Sequence, residues 1–228
     1  MVARLGAKYS AVSTTNSTFP TMSIAHGIRT LGVLGAGQMG TGIALVSAVR
    51  ARVPVLLHDR STEQVTKGLS LMDKLLAKDV AKGRLSSEEA KEARDRVSVV
   101  GPEAGIKGMR EVDMVIEVTF LYPILKTTSK MDFSSQAVSE SLPLKQSIFA
   151  SFAAELKPDA ILATNTSSIS ITKIAASAIP AGVNSASQEG KESAGRVVGR
   201  KFKYGAVNYF LTNAIRIAFF QSSTCHGQ

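Results

Sequence analysis

The chain has 228 residues, 44% of them hydrophobic and 20% charged, the composition of an ordinary soluble globular protein with apolar material for one large or two small domains. One cysteine, Cys225, excludes an internal disulfide framework, and three histidines (His26, His58 and His226) without a Cys/His cluster offer no zinc site, so no metal is expected. The net charge of +9 forms no nucleic-acid stripe: all 18 acidic residues lie between Asp59 and Glu192, and the excess comes from Arg4, Lys8, Arg29, Arg50 and Arg52 before them and Arg200, Lys201, Lys203 and Arg216 after them.

Residues 1–28 are rich in Ser, Thr and Ala and contain no acid. That composition suits a mitochondrial transit segment, and equally a disordered terminus or sequence upstream of a start at Met22; a mitochondrial location is the expectation, with the cytoplasm as the alternative. No stretch reaches the roughly 18 uninterrupted apolar residues that span a bilayer, so no membrane association is expected.

From Arg29 the pattern is regular. "RTLGVLGAGQMGTGIALVSAVRARVPVLLHDRS" reads as strand, glycine turn, helix and second strand, with Leu31, Val33 and Leu34 in the first apolar run and Val53, Val55, Leu56 and Leu57 in the second. Residues 61–95 read as a helical hairpin. Ser61 or Thr62 caps its first helix, Val65, Leu69, Met72, Leu75 and Leu76 recur at helical spacing, Gly83 stops the run, and Ser86 three residues before Glu89 forms a capping box for the second helix.

Strands are expected at Val97 to Val100 and Val112 to Glu117. Residues 118–136 then break the order, having no consistent period. Beyond them Leu144, Ile148, Phe149, Phe152 and Leu156 define a helical face, Pro158 ends that helix, and Ile161 to Thr164 is a strand. "ISITKIAASAI" suggests a further helix, followed by a loop and a last strand at Arg196 to Gly199. Alternating strands and helices predict a doubly wound, mainly parallel α/β sheet over residues 29–199, of Rossmann type, with the hairpin inserted and a divergent tail at 200–228.

Gly35-Ala36-Gly37-Gln38-Met39-Gly40 is a G-x-G-x-x-G that follows a strand and opens a helix, with Asp59 at the end of the next strand, about 20 residues on. Gly35 permits the tight turn, Gly37 lets the backbone approach a pyrophosphate at the positive helix end, and Gly40 allows close helix-sheet packing. Asp59 suits a ribose 2′-hydroxyl and would repel a 2′-phosphate, so NAD is favoured over NADP; FAD fits the same glycines, as does a plain glycine turn with no ligand. "TNTSS", residues 164–168, follows another strand, which places Asn165, Ser167 and Ser168 to meet the nicotinamide end of the cofactor or a substrate oxygen. Ser167 or Ser168 equally suits the N-cap of the next helix.

Together "LGVLGAGQMGTGIA", "VPVLLHDRS", "DMVIE", "AVSESLPLKQSIF" and "ILATNTSSISITKIA" resemble the NAD-binding domain of the L-3-hydroxyacyl-CoA dehydrogenase family, including its 3-hydroxybutyryl-CoA members, over roughly residues 28–117 and 137–199. The resemblance implies hydride transfer from C3 of a 3-hydroxyacyl-CoA to NAD, giving the 3-ketoacyl thioester, as in fatty acid β-oxidation. It places Gly35, Gly37, Gln38, Met39 and Gly40 on the pyrophosphate and Asp59 on the adenosine ribose. Ala137, Glu140 and Lys145 would line the cofactor, Ser167 would contact the reacting hydroxyl, and the hairpin would lie beside the CoA moiety.

The sequence departs from the family twice. Glu117, which in the family directly precedes an alanine, is separated from Ala137 by residues 118–136; Val118 and Gln136 suit the borders of a translated intron, since valine codons begin with GT and a glutamine codon can end in AG. After "VVG" the family continues to His-Phe-Phe-Asn-Pro, whose histidine is the general base, and to a helical domain that completes the substrate cleft and forms the dimer interface. Here Arg200-Lys201-Phe202 follows, and codons CGT-AAG-TTT would contain a splice-donor sequence. With the base and its glutamate partner absent, these 228 residues are expected to be inactive in that reaction. The alternative is a catalytically dead NAD-binding or partner-binding module, and a basic tail that docks on nucleic acid or anionic lipid ranks third.

Overall fold

The computed structural model describes residues 27–119, 140–166 and 168–199. Six strands, β1 (Leu31–Leu34), β2 (Val55–His58), β3 (Val97–Val100), β4 (Met114–Glu117), β5 (Ile161–Thr164) and β6 (Val197–Gly199), form one sheet in the order β3-β2-β1-β4-β5-β6. Every pairing is parallel. The order reverses between β1 and β4, so connections leave in opposite directions there and a crevice opens beyond the carboxyl ends of those two strands.

The sheet is covered on both faces, as a parallel sheet must be. One apolar cluster joins Leu31, Val33, Val55 and Leu57 to Ile43, Val65 and Met72. The other joins Val115 and Leu162 to Phe149, Phe152 and Ile174. β1 and β4 are buried at every position, which explains their short, continuous apolar runs.

The helices are α1 (Gln38–Val46), α2 (Thr62–Ala81), α3 (Ser87–Asp95), α4 (Leu142–Glu155), α5 (Ile171–Ala175) and α6 (Gln188–Gly195). The hairpin forms as its punctuation predicts. The Ser61 hydroxyl accepts the Gln64 N–H, Gly83 takes φ +65° beyond α2, and Ser86 and Glu89 exchange both bonds of a capping box.

Three local expectations change. The stretch read as a loop before β6 contains α6, which has a Ser187 cap on the Gly190 N–H but no apolar period to announce it. The cap of α5 is Ser170, not Ser167 or Ser168, and its side chain makes no capping bond. β4 begins at Met114, because Val112 and Asp113 belong to the turn that enters it.

Candidate functional site

The glycine turn joins β1 to α1. Gly35 has φ +113°, and a Cβ there would lie 2.5 Å from the Val118 carbonyl oxygen, so the turn runs against the end of β4 and accepts no side chain. A Cβ on Gly40 would land on the Gly35 carbonyl, which is why α1 can start so close to the sheet. Gly37 differs: a Cβ there would meet nothing within 4 Å, so its backbone faces open space.

Gly37 is also the N-cap of α1, no side chain satisfies that helix start, and its first turn carries no acid. Free N–H groups at the positive end of a helix, approached over bare backbone, form an anion cradle. Gln38 is exposed and Met39 partly buried at this start. The residues present therefore fit a dinucleotide pyrophosphate.

Asp59 follows β2 and stands beside the cradle. Its Oδ2 accepts the Ala36 N–H at 2.8 Å and its Oδ1 the Ser61 N–H at 2.9 Å, so the carboxylate is fixed while each oxygen keeps a lone pair for another donor. Neighbouring His58 is buried, its Nδ1 against the Val100 carbonyl at 3.0 Å, and it joins β2 to β3 instead of facing the crevice.

Across the switch point two carboxylates organise the ends of β4 and β5. Glu117 is fully buried, and the Lys145 ammonium donates to both its oxygens, at 2.9 and 2.8 Å. The Thr164 hydroxyl donates to it at 2.6 Å and the Thr119 N–H at 2.7 Å, with the Thr119 hydroxyl as a further donor. Glu140 accepts the Thr166 hydroxyl, and the Ser168 hydroxyl at 2.9 Å, so it ties the start of α4 to the turn after β5. Asn165 is half-buried, and its N–H donates to the Glu117 carbonyl at 2.9 Å.

The structure thus brings Gly35, Gly37, Gln38, Met39, Gly40 and Asp59 to one side of the switch point and Glu140, Lys145 and Asn165 to the other, with Lys145 buried. Ala137 and Ser167 lie outside the described residues. Glu117 and Thr164 carry no role in the sequence reading, yet a signal was present. Lys145 stands three, four and seven residues before Ile148, Phe149 and Phe152, so it shares their apolar face and a buried lysine there needs a carboxylate. Among the described residues no His, Cys, Asp or Glu side chains group as a metal site, and no helix is long and apolar enough to cross a membrane.

An open parallel sheet with a bare glycine cradle on one side of its switch point and an acid after the next strand defines a doubly wound dinucleotide-binding domain. The family model described as "3-hydroxyacyl-CoA dehydrogenase, NAD binding domain" matches residues 30–128 and 120–181, and the chain belongs to that family. It is similar to the fatty acid oxidation complex subunit alpha of Pseudomonas entomophila, 38% identical over 152 residues, 67% of this chain and 18% of that protein. The 3-hydroxybutyryl-CoA dehydrogenase of Bradyrhizobium diazoefficiens is 36% identical over 149 residues, 65% of this chain and 43% of that one. The crystal structure of 3-hydroxybutyryl-CoA dehydrogenase from Escherichia coli superposes with a TM-score of 0.59 at 28% identity, covering 83% of this chain and 36% of that one. The chain therefore spans less than half the length of each of these relatives.

Proposed function

We propose that residues 29–199 are the NAD-binding half of an enzyme that oxidises an L-3-hydroxyacyl-CoA to the 3-ketoacyl thioester, and that residues 1–228 by themselves bind NAD without catalysing that oxidation. The observation that carries the first part is the cradle: Gly37 bare towards open space at an uncapped helix start, with Asp59 held beside it. When bound, NAD supplies the hydride acceptor. The protein's part is positional. The α1 amides would take the pyrophosphate, Asp59 an adenosine ribose hydroxyl, and the turn after β5, which includes Ser167, the reacting hydroxyl.

The second part rests on the proton. As hydride leaves a carbinol carbon, the hydroxyl proton needs a positioned base. His58, the one histidine among the described residues, is held on the Val100 carbonyl. The acyl-CoA substrate class follows the names of the relatives, 3-hydroxybutyryl-CoA dehydrogenase and 3-hydroxyadipyl-CoA dehydrogenase.

We further propose that residues 118–136 interrupt the family pattern and are translated intron. The family match breaks into two stretches within that segment, which supports an interruption there. Transcript sequencing that finds those codons in the major mature message overturns it.

Thermal unfolding of the purified chain with and without NAD tests the nucleotide site: millimolar NAD is expected to raise the midpoint, and Asp59→Ala to abolish the rise. A ligand at about 100 times its Kd adds about 2.7 kcal/mol, enough to read directly. Oxidation of 3-hydroxybutyryl-CoA at an ordinary enzyme's rate would refute the missing base.

A further inference from the structure

Glu117 sits at the centre of the sheet's carboxyl edge. Register pairs it with Leu34 of β1 on one side and Thr164 of β5 on the other, so it lies at the switch point itself. The next residue, Val118, donates its N–H to the Leu34 carbonyl at 2.8 Å and presents its own carbonyl to Gly35. Glu117 thus belongs to a segment that touches the glycine turn on one side and the turn after β5 on the other.

Its side chain and backbone hold four residues. The carboxylate takes Lys145 from α4, Thr164 from β5 and Thr119 from its own strand end, and the carbonyl takes the Asn165 N–H. A fully buried carboxylate is costly and persists only when charge and hydrogen bonds compensate it. Core packing does not require one here, since an apolar residue would suit a strand buried on both faces. The placement supplies another reason. The adenosine half of a dinucleotide lies over β1 and β2, and the far half over β4 and β5, where Glu117 collects its partners.

We infer that Glu117 is a positioning residue for the nicotinamide ring of the cofactor: it fixes the Lys145 ammonium, beside the Thr164–Asn165 turn, in the geometry that ring requires. This rests on the nucleotide-site reading above. The Lys145 ammonium lies within hydrogen-bond distance of both Glu117 oxygens, which aims the side chain instead of leaving a flexible four-carbon stem to search. Glu117 acts through Lys145, so the two form one functional unit.

The test compares two probes on the full chain by calorimetric titration. ADP-ribose carries the adenosine, pyrophosphate and second ribose but no nicotinamide; NADH carries all of them. Glu117→Gln is expected to weaken NADH about tenfold, the scale of one charge-assisted hydrogen bond, while ADP-ribose affinity stays within about twofold. Lys145→Met is expected to give the same split, and the double variant to equal Lys145→Met alone, because residues acting as a unit are not additive. If Glu117→Gln fails to fold, the double variant, which removes both charges, carries the comparison with Lys145→Met. Equal losses for both probes, an unchanged NADH affinity, or additive losses in the double variant overturn the positioning role. Failure of the unmodified chain to bind ADP-ribose overturns the nucleotide site itself.

Discussion

Two carboxylates bracket β4, Asp113 just before it and Glu117 at its end, and they differ in environment. At the amino end Asp113 accepts the Arg29 and Thr30 N–H groups at 2.7 and 2.9 Å and the Lys157 ammonium at 2.5 Å, with its side chain 14% exposed. At the carboxyl end Glu117 is fully buried against Lys145 and two threonines. Both clusters tie neighbouring strands together with the same chemistry. Only the second lies at the edge where parallel sheets bind ligands, so the first is a clasp for the fold and the second a clasp for the site. Conserving the chemistry while changing the end of the strand changes what the cluster is for.

The largest effect expected from breaking this pair is at Glu117. Glu117→Ala leaves the Lys145 ammonium buried without a partner, and a loss of about 3–5 kcal/mol in urea unfolding is expected, the range for half of a buried ion pair. Asp113→Ala is expected to cost less, about 1–3 kcal/mol, because Lys157 and the Arg29 and Thr30 amides can turn to water. NAD-induced stabilisation should survive in Asp113→Ala; its loss there would show that the two ends are coupled and break the comparison.

Acid titration sharpens the contrast further. Burial alone would raise the Asp113 carboxyl, but the Lys157 hydrogen bond, those from the Arg29 and Thr30 amides and the Lys157 charge together hold it below the ordinary carboxylate value. A lowered folded value means that the folded state holds the proton less tightly than the unfolded chain does. The contribution is therefore complete above the unfolded value of about 3.9 and is lost as pH falls through it towards the lower folded one. Urea midpoints at about pH 6 and pH 3 should converge for Asp113→Ala and the unmodified chain as pH falls.

The smallest effect is a control away from both clusters. Ser86→Ala removes one half of the α3 capping box, and a loss of about 1 kcal/mol with unchanged NAD binding is expected. Altered NAD binding in that variant would show that the hairpin communicates with the cradle.

The two sides of the crevice were not equally legible. The cradle side is written in consecutive residues, Gly35 to Gly40, followed by Asp59 one strand later. Each of these does its work through backbone geometry that a glycine or a strand end announces. Glu117, Lys145 and Thr164 lie on three separate elements, and no local rule pairs them. α6 escaped for a related reason, since a mostly polar helix of eight residues has a cap but no apolar period.

The sequence by itself determined the alternation of strands and helices, the hairpin with its caps, the glycine cradle with its acid and the family, because periodicity, turns and caps act over a few residues. Only the tertiary structure decided that Lys145 meets Glu117 and that Glu140 meets Thr166 and Ser168. It also placed the caps of α5 and α6 and turned His58 into the sheet, away from the site. Those contacts join residues far apart along the chain, and the parallel register that brings Leu34, Glu117 and Thr164 side by side is set by the packing of the whole sheet.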